Sequence, residues 1–305
     1  MVTTSLPVAV IGAGLIGASW AALFAAVGGH DVRVYDPSPE ARAEVGRRAA
    51  AMTEQLAALH ALTGRTPTVC ASLEEACAGA VLIQENAPER LDLKRQLYAE
   101  IEALVAADAI VASSTSALLW SDLARDLAHP RRFITAHPFN PPHLMPLVEL
   151  FGTDPDVIAA ARDFYLALGR APVVLKREAP GHIAGRLSAA LWREAVSLVA
   201  DGVATVADID DALVNGPGLR WAVVGAHMGY HLGGGDGGID HYLATLGPSQ
   251  ERRWASLGTP SLTPDVSAAL VAGIAEEAAG RSVAELAAAR DRATIAILNS
   301  LRSKT

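Results

Sequence analysis

A chain of 305 residues, 51% hydrophobic and 19% charged, is long enough for two domains of ordinary size and can bury a sizeable core. Its formal charge of −8 argues against nucleic acid, which demands a basic face, but leaves room for a local cationic pocket. Two cysteines, Cys70 and Cys77, make no disulfide framework, and they are expected reduced and buried in a cytoplasmic protein.

Met1–Leu6 holds no Lys or Arg, and the apolar stretch behind it is broken by Gly12, Gly14 and Gly17. Neither a signal peptide nor a membrane span is expected. The run Val8-Ala-Val-Ile-Gly12-Ala-Gly14-Leu15-Ile16-Gly17 places G-x-G-x-x-G between a strand and the helix predicted over Leu15–Val27. Gly12 permits the tight turn, Gly14 admits a pyrophosphate close to the backbone, and Gly17 lets helix and sheet approach. Free amides and the positive helix end complete an anion site, so Gly12, Gly14, Leu15, Ile16 and Gly17 are the cofactor-side candidates of this turn. The next strand, Val32–Tyr35, leads into Asp36, 19 residues after Gly17. A carboxylate there accepts from ribose hydroxyls and repels the extra phosphate of NADP, which makes NAD the expected cofactor.

A helix over Glu40–Leu62 follows, then a strand at Val81–Gln84, a helix over Asp92–Val105 and strands at Ile110–Ala112 and Arg132–Thr135. A helix over Asp156–Leu168 and a strand at Pro172–Leu175 close the alternation. Short, wholly apolar strands alternating with helices predict a Rossmann-type doubly wound α/β domain over residues 1–179. At the end of the fifth strand stands Ala136-His137-Pro-Phe139-Asn140-Pro141, and twelve residues after His137 comes Glu149, an acid inside an apolar run. A buried carboxylate needs a partner, and His137 is the natural one; Glu149 would orient the imidazole and stabilise its protonated form.

Beyond Pro180-Gly181, a hinge signal, no strand pattern appears, and residues 180–305 are expected to form an all-α domain for substrate and dimer contacts. Leu187, Leu191, Glu194 and Leu198 share a stripe with Glu194 as its polar exception, and Ser282-Val-Ala-Glu285 is a capping box opening the last helix. His227 and His231, at i and i+4, could share a metal, but no Glu follows the first as a zincin needs, so no metal site is expected.

Ser113-Ser-Thr-Ser116, His137-Pro-Phe-Asn-Pro141 and Leu147-Val-Glu149 together resemble the signature of the L-3-hydroxyacyl-CoA dehydrogenase superfamily, and the resemblance covers the chain almost end to end. It implies an NAD-dependent oxidoreductase in which His137 is the base and Glu149 its orienting acid. By the same resemblance Ser116 and Asn140 hydrogen-bond the reacting oxygen, and Glu89 and Lys94 are a cofactor-side acid and lysine. One departure is that Gly181-His-Ile-Ala-Gly185-Arg186 carries Gly where thioester-using members usually carry Asn. Ala190–Ala195, Asp201–Thr205 and Gly216-Pro-Gly-Leu-Arg220-Trp221 resemble the stand-alone branch that takes free 3-hydroxy acids, above all the L-carnitine dehydrogenase group, with the lambda-crystallin and L-gulonate dehydrogenase group near it.

A free acid calls for a cation at its carboxylate, and Arg220 beside a glycine-rich break is the candidate. A quaternary ammonium calls for aromatic faces, and Phe139, Trp192, Trp221, Tyr230 and Trp254 are the candidates. The expectation is a homodimeric dehydrogenase of a small carboxylic acid. L-gulonate-like acids, acyl-CoA thioesters and a crystallin-like structural role stand as alternatives.

Overall fold

The computed structural model describes residues 5–302; Met1–Thr4, within the opening segment read for a signal peptide, and Ser303–Thr305 lie outside it. The chain divides into two compact units, one reaching to Arg186 and including Thr294–Asn299, the other comprising Leu187–Ala293 and the chain from Ser300.

The first unit follows the order β1 (Pro7–Ile11), α1 (Leu15–Ala22), β2 (Asp31–Tyr35), α2 (Pro39–Ala57), β3 (Thr68–Val69), α3 (Leu73–Cys77), β4 (Leu82–Glu85), α4 (Leu91–Leu104), β5 (Ile110–Ser113), α5 (Trp120–Leu123), β6 (Phe133–Pro138), β7 (Leu147–Phe151), α6 (Pro155–Ala167) and β8 (Ala171–Val174). These strands form one eight-stranded sheet in the order β3-β2-β1-β4-β5-β6-β7-β8. The order reverses between β1 and β4, which opens a crevice beyond their carboxyl ends.

Two cores explain the unbroken apolar strands. Val8 and Val10 of β1 join a cluster on one face with Trp20, Phe24, Met52 and Tyr165, while Ala9 and Ile11 face a second with Tyr98, Ile101 and Phe133. A strand covered on both faces favours apolar residues at every position, and the polar ones that β4 does hold, Gln84 and Glu85, are buried and hydrogen-bonded. Cys70 and Cys77 are free and buried in the second core, where burial raises both thiols, Cys77 to about 12.

Two departures from the sequence expectation stand out. The strand β7 joins the sheet antiparallel to β6, although strand–helix alternation predicts parallel neighbours throughout. The helix expected over Glu40–Leu62 ends at Ala57, where the Thr63 hydroxyl and amide turn the chain back onto the Ala25 and Ala26 carbonyls.

The helix α7 (Ala184–Ala200) leads into the second unit, followed by α8 (Val206–Asn215), α9 (Pro217–Trp221), α10 (Ala226–Gly233), α11 (Gly238–Ala255), α12 (Pro264–Ala278) and α13 (Val283–Arg302). Caps set its helix starts: Thr205 and Asp208 form one reciprocal box, and Ser282 and Glu285 the expected other. Glu194 breaks the apolar stripe of α7 because its carboxylate accepts the Gly258 amide at 2.8 Å. Among the described residues no helix is long and apolar enough to cross a membrane.

Candidate active site

The crevice beyond β1 and β4 is built by backbone closeness. Gly12 has φ +95°, and a Cβ added there would stand 2.8 Å from the Asn86 carbonyl. A Cβ on Gly17 would stand 1.8 Å from the Gly12 carbonyl oxygen, so α1 can leave the strand at this angle only without a side chain. Gly14, the N-cap of α1, has no side-chain cap, and a Cβ there would meet nothing within 4 Å. Gly12, Gly14, Tyr35, Asp36 and Leu97 help to line a cavity of about 590 Å³. The Asp36 carboxylate is held beside the glycine turn by the Ala13 amide (2.7 Å) and the Ser38 amide (2.9 Å). An open helix start facing this cavity, with a carboxylate at its rim, fits a dinucleotide. Leu15 is 53% exposed at the first turn of α1, and Ile16 lines a second pocket described below.

Beside the expected pair lies a residue that spacing did not single out. Arg42 lies over the Tyr35 ring, 5.8 Å from its centroid, and donates to the Asp36 carbonyl. Lys94 is buried on α4, donating to Glu85 at 2.7 Å with Glu89 3.9 Å away. Glu85 in turn accepts from Tyr98 and Ser113, so this charge pair is closed by hydrogen bonds.

The pairing of β6 with β7 sets the chemistry. In that antiparallel ladder His137 and Glu149 are directly opposite, and opposed residues present their side chains on the same face. The His137 Nδ1 lies 2.8 Å from Glu149 Oε2. The other carboxylate oxygen accepts the Ile183 and Ala184 amides at 2.8 and 3.0 Å. Burial alone would raise this carboxyl; the His137 hydrogen bond and the two amides outweigh it and hold Glu149 below the usual range. Glu149 is therefore ionised, and a neutral His137 donates through Nδ1–H, leaving Nε2 as its acceptor.

Around His137 the structure gathers Ile16, Ser114, Ser116, Phe139, Asn140 and Gly185 into a pocket of about 440 Å³. Glu89 shapes the turn that carries Ser116: its Oε1 accepts the Thr115 hydroxyl at 2.6 Å and the Ser116 and Ala117 amides at 2.9 and 2.8 Å. Burial pushes Glu89 up, but these bonds and Lys94 carry it below its ordinary value. Asn140 begins a loop strapped from two sides. The Arg170 guanidinium donates to the Pro142 and His143 carbonyls at 3.1 and 3.3 Å, and His143 bridges Ser19 (2.9 Å) and Gln55 (2.6 Å). Gly185 lines the pocket with nothing within 4 Å of an added Cβ, so the place of the family's Asn is open space. His182 was missed by the sequence reading. Its ring lies against that of His137, centroids 4.8 Å apart, and its Nε2 is 3.1 Å from the Thr115 carbonyl.

The remaining candidates belong to the second unit and to separate helices. Arg220 is exposed in the last turn of α9, followed by Trp221 at 43% exposure. Trp192, on α7, lines a 240 Å³ cavity with Val199, Val206 and Leu270. Tyr230 packs against Tyr242, ring centroids 5.1 Å apart, and Trp254 is 61% exposed on α11. His231 is engaged by the Ile239 amide at 3.1 Å.

Residues 7–179 match the family profile of the 3-hydroxyacyl-CoA dehydrogenase NAD binding domain, and residues 181–259 match that family's C-terminal domain. The chain belongs to the 3-hydroxyacyl-CoA dehydrogenase family. It is an NAD-dependent dehydrogenase. Within the family it is 46% identical over 299 residues to an L-carnitine dehydrogenase of Streptomyces griseus, covering 96% of this chain and 89% of the relative. An L-carnitine dehydrogenase of Pseudomonas putida is 44% identical over 302 residues, covering 97% and 94%. Among solved structures, an NAD+-dependent dismutase, 5-formyl-3-hydroxy-2-methylpyridine 4-carboxylic acid 5-dehydrogenase, matches with a TM-score of 0.83. That match is 30% identical and covers 97% of this chain and 99% of the other.

Proposed function

We propose that this dehydrogenase oxidises the 3-hydroxyl of L-carnitine to the corresponding 3-oxo acid. The observation that carries the reading is the His137–Glu149 pair, 2.8 Å apart, in one pocket with Ser116 and Asn140, in a chain so similar to L-carnitine dehydrogenases.

The Gly12–Gly17 turn would hold the cofactor's pyrophosphate and Asp36 its ribose, with Leu15 and Ile16 along the helix start. Glu89 is assigned to the cofactor side, and Lys94, buried against Glu85, supports it through its charge rather than by touching the cofactor. NAD, when bound, supplies the acceptor for the hydride that leaves carbon 3. His137 takes the hydroxyl proton at Nε2, and Glu149 stabilises the imidazolium that results. Ser116 and Asn140 donate to the oxygen as charge develops on it. Arg220 is assigned the substrate carboxylate, which a guanidinium grips through two parallel hydrogen bonds. A quaternary ammonium offers no donor, so it is assigned to the aromatic faces of Phe139, Trp192, Trp221 and Tyr230. The open space at Gly185 supports a free acid over a thioester, since glycine brings no side-chain donor for a thioester carbonyl.

The dehydrogenase is proposed to work as a cytoplasmic homodimer. Leu187, Leu219 and Val271 of the second unit, at 66%, 64% and 71% exposure, supply the apolar surface that a second copy would cover. The substrate test is NADH formation with L-carnitine, L-gulonate, 3-hydroxybutyrate and 3-hydroxybutyryl-CoA. A kcat/KM for L-carnitine at least tenfold above the others is expected; preference for the thioester would overturn the reading.

A further inference from the structure

We propose that His182 is a positioning residue for the base: its ring forms a shelf against the His137 imidazole and ties it to the turn that carries Ser116. This rests on the reading of His137 as the base.

The backbone shows how firmly the ring is held. His182 has φ +51°, in the left-handed region that non-glycine residues seldom occupy. It is 5% exposed, and its Nε2–H donates to the Thr115 carbonyl. Thr115 donates its own hydroxyl to Glu89, which also accepts the Ser116 amide. A continuous path of hydrogen bonds therefore runs from the shelf to the turn presenting Ser116, and the shelf touches the base. The Ile183 and Ala184 amides, which follow directly in sequence, hold Glu149. One short segment thus fixes the ring against His137 and the carboxylate behind it.

The charge of the shelf matters to the proton transfer. When His137 accepts the substrate proton, a neutral ring 4.8 Å away offers it a π face, whereas a protonated His182 would set like charge against it. Three titratable groups face His182: His137 from β6, Glu149 from β7 and Glu89 from the segment after β4. Burial is the largest influence and favours the neutral ring; the Thr115 carbonyl opposes it, His137 reinforces it, and the two carboxylates oppose it. The net direction is below the ordinary histidine value. The buried ring therefore resists protonation as pH falls.

Two variants test this. His182→Asn tolerates the left-handed backbone but removes the ring and, with its amide near the place of Nδ1 rather than Nε2, the bond to Thr115. His182→Phe keeps a ring that cannot titrate. His182→Asn is expected to lower kcat about tenfold with a smaller change in KM, and His182→Phe to fall less. The acid limb of kcat/KM against pH is expected to steepen to a two-proton slope in the wild type and to stay at one in His182→Phe.

Independently of turnover, the His182 ring proton, assigned by NMR from its loss in His182→Phe, is expected to titrate below the ordinary histidine value and to move up in His137→Gln, which removes the facing imidazole. A His182 titration unmoved in His137→Gln, or a His182→Asn enzyme with the wild-type kcat and pH profile, overturns the proposal. If no hydroxy acid is turned over, the substrate reading fails by itself and the ring titration still decides the role of His182.

Discussion

His137 and Glu149 occupy positions where ionisation, hydrogen bonding and burial pull in different directions, and the balance defines what each can do. Replacing His137 with Gln is expected to cut kcat by at least about a hundredfold while leaving NAD affinity close to that of the wild type. Isothermal titration with NAD beside the rate assay checks both halves, and joint loss of binding and rate would make His137 structural instead. Glu149 adds a pH signature. Its carboxyl is held below the unfolded-chain value of about 4.3, so its contribution to stability is complete above that value and is lost as pH falls through the lower native one. Urea midpoints measured against pH should therefore fall more steeply on the acid side for the wild type than for Glu149→Gln; parallel curves would show that the pair contributes nothing. The acid inside an apolar run was visible in the sequence, as was the histidine it needed. His182 was not, because a histidine two residues after Pro180 carries no periodicity, and its meaning depends on a left-handed backbone that brings it to His137.

Strand periodicity gave the parallel part of the sheet because both faces are covered by core. It did not single out β7 as a strand, because Glu149 interrupts the apolar run, and only the ladder partner shows that the strand enters antiparallel. That ladder is what aligns His137 with Glu149. The loop between the two strands depends on Arg170, whose guanidinium donates to the buried carbonyls of Pro142 and His143. Arg170→Met is expected to cost about 2 kcal/mol or more of stability. It should also lower kcat more than it raises the KM for NAD, since the loop carries Asn140 and not the glycine turn. Chemical denaturation and steady-state kinetics on one preparation would test this, and unchanged kcat would separate the strap from catalysis. Motifs singled out Ser116; why its turn holds its shape, with several bonds converging on one oxygen of Glu89, is not written in the spacing.

Taken as a whole, the molecule joins the NAD binding domain of the 3-hydroxyacyl-CoA dehydrogenase family to that family's C-terminal domain. Arg220→Met is expected to raise the KM for the hydroxy acid about tenfold or more with little change in the KM for NAD; equal KM values would take Arg220 out of the anchor role. Sedimentation equilibrium is expected to give twice the chain mass of 31.7 kDa, and a monomer at micromolar concentration would remove the dimer from the proposal. Helix caps made the second unit's all-α character legible, but no sequence period says which of its aromatic residues meet. The register of β6 with β7 has one more consequence. Strand side chains alternate, so deleting a single residue between Leu147 and Glu149 would turn the carboxylate to the opposite face, while a deletion in the loop would leave it where it is. Loop and register are thus separate requirements: the loop places Asn140, while the register alone keeps His137 and Glu149 facing each other on one hairpin.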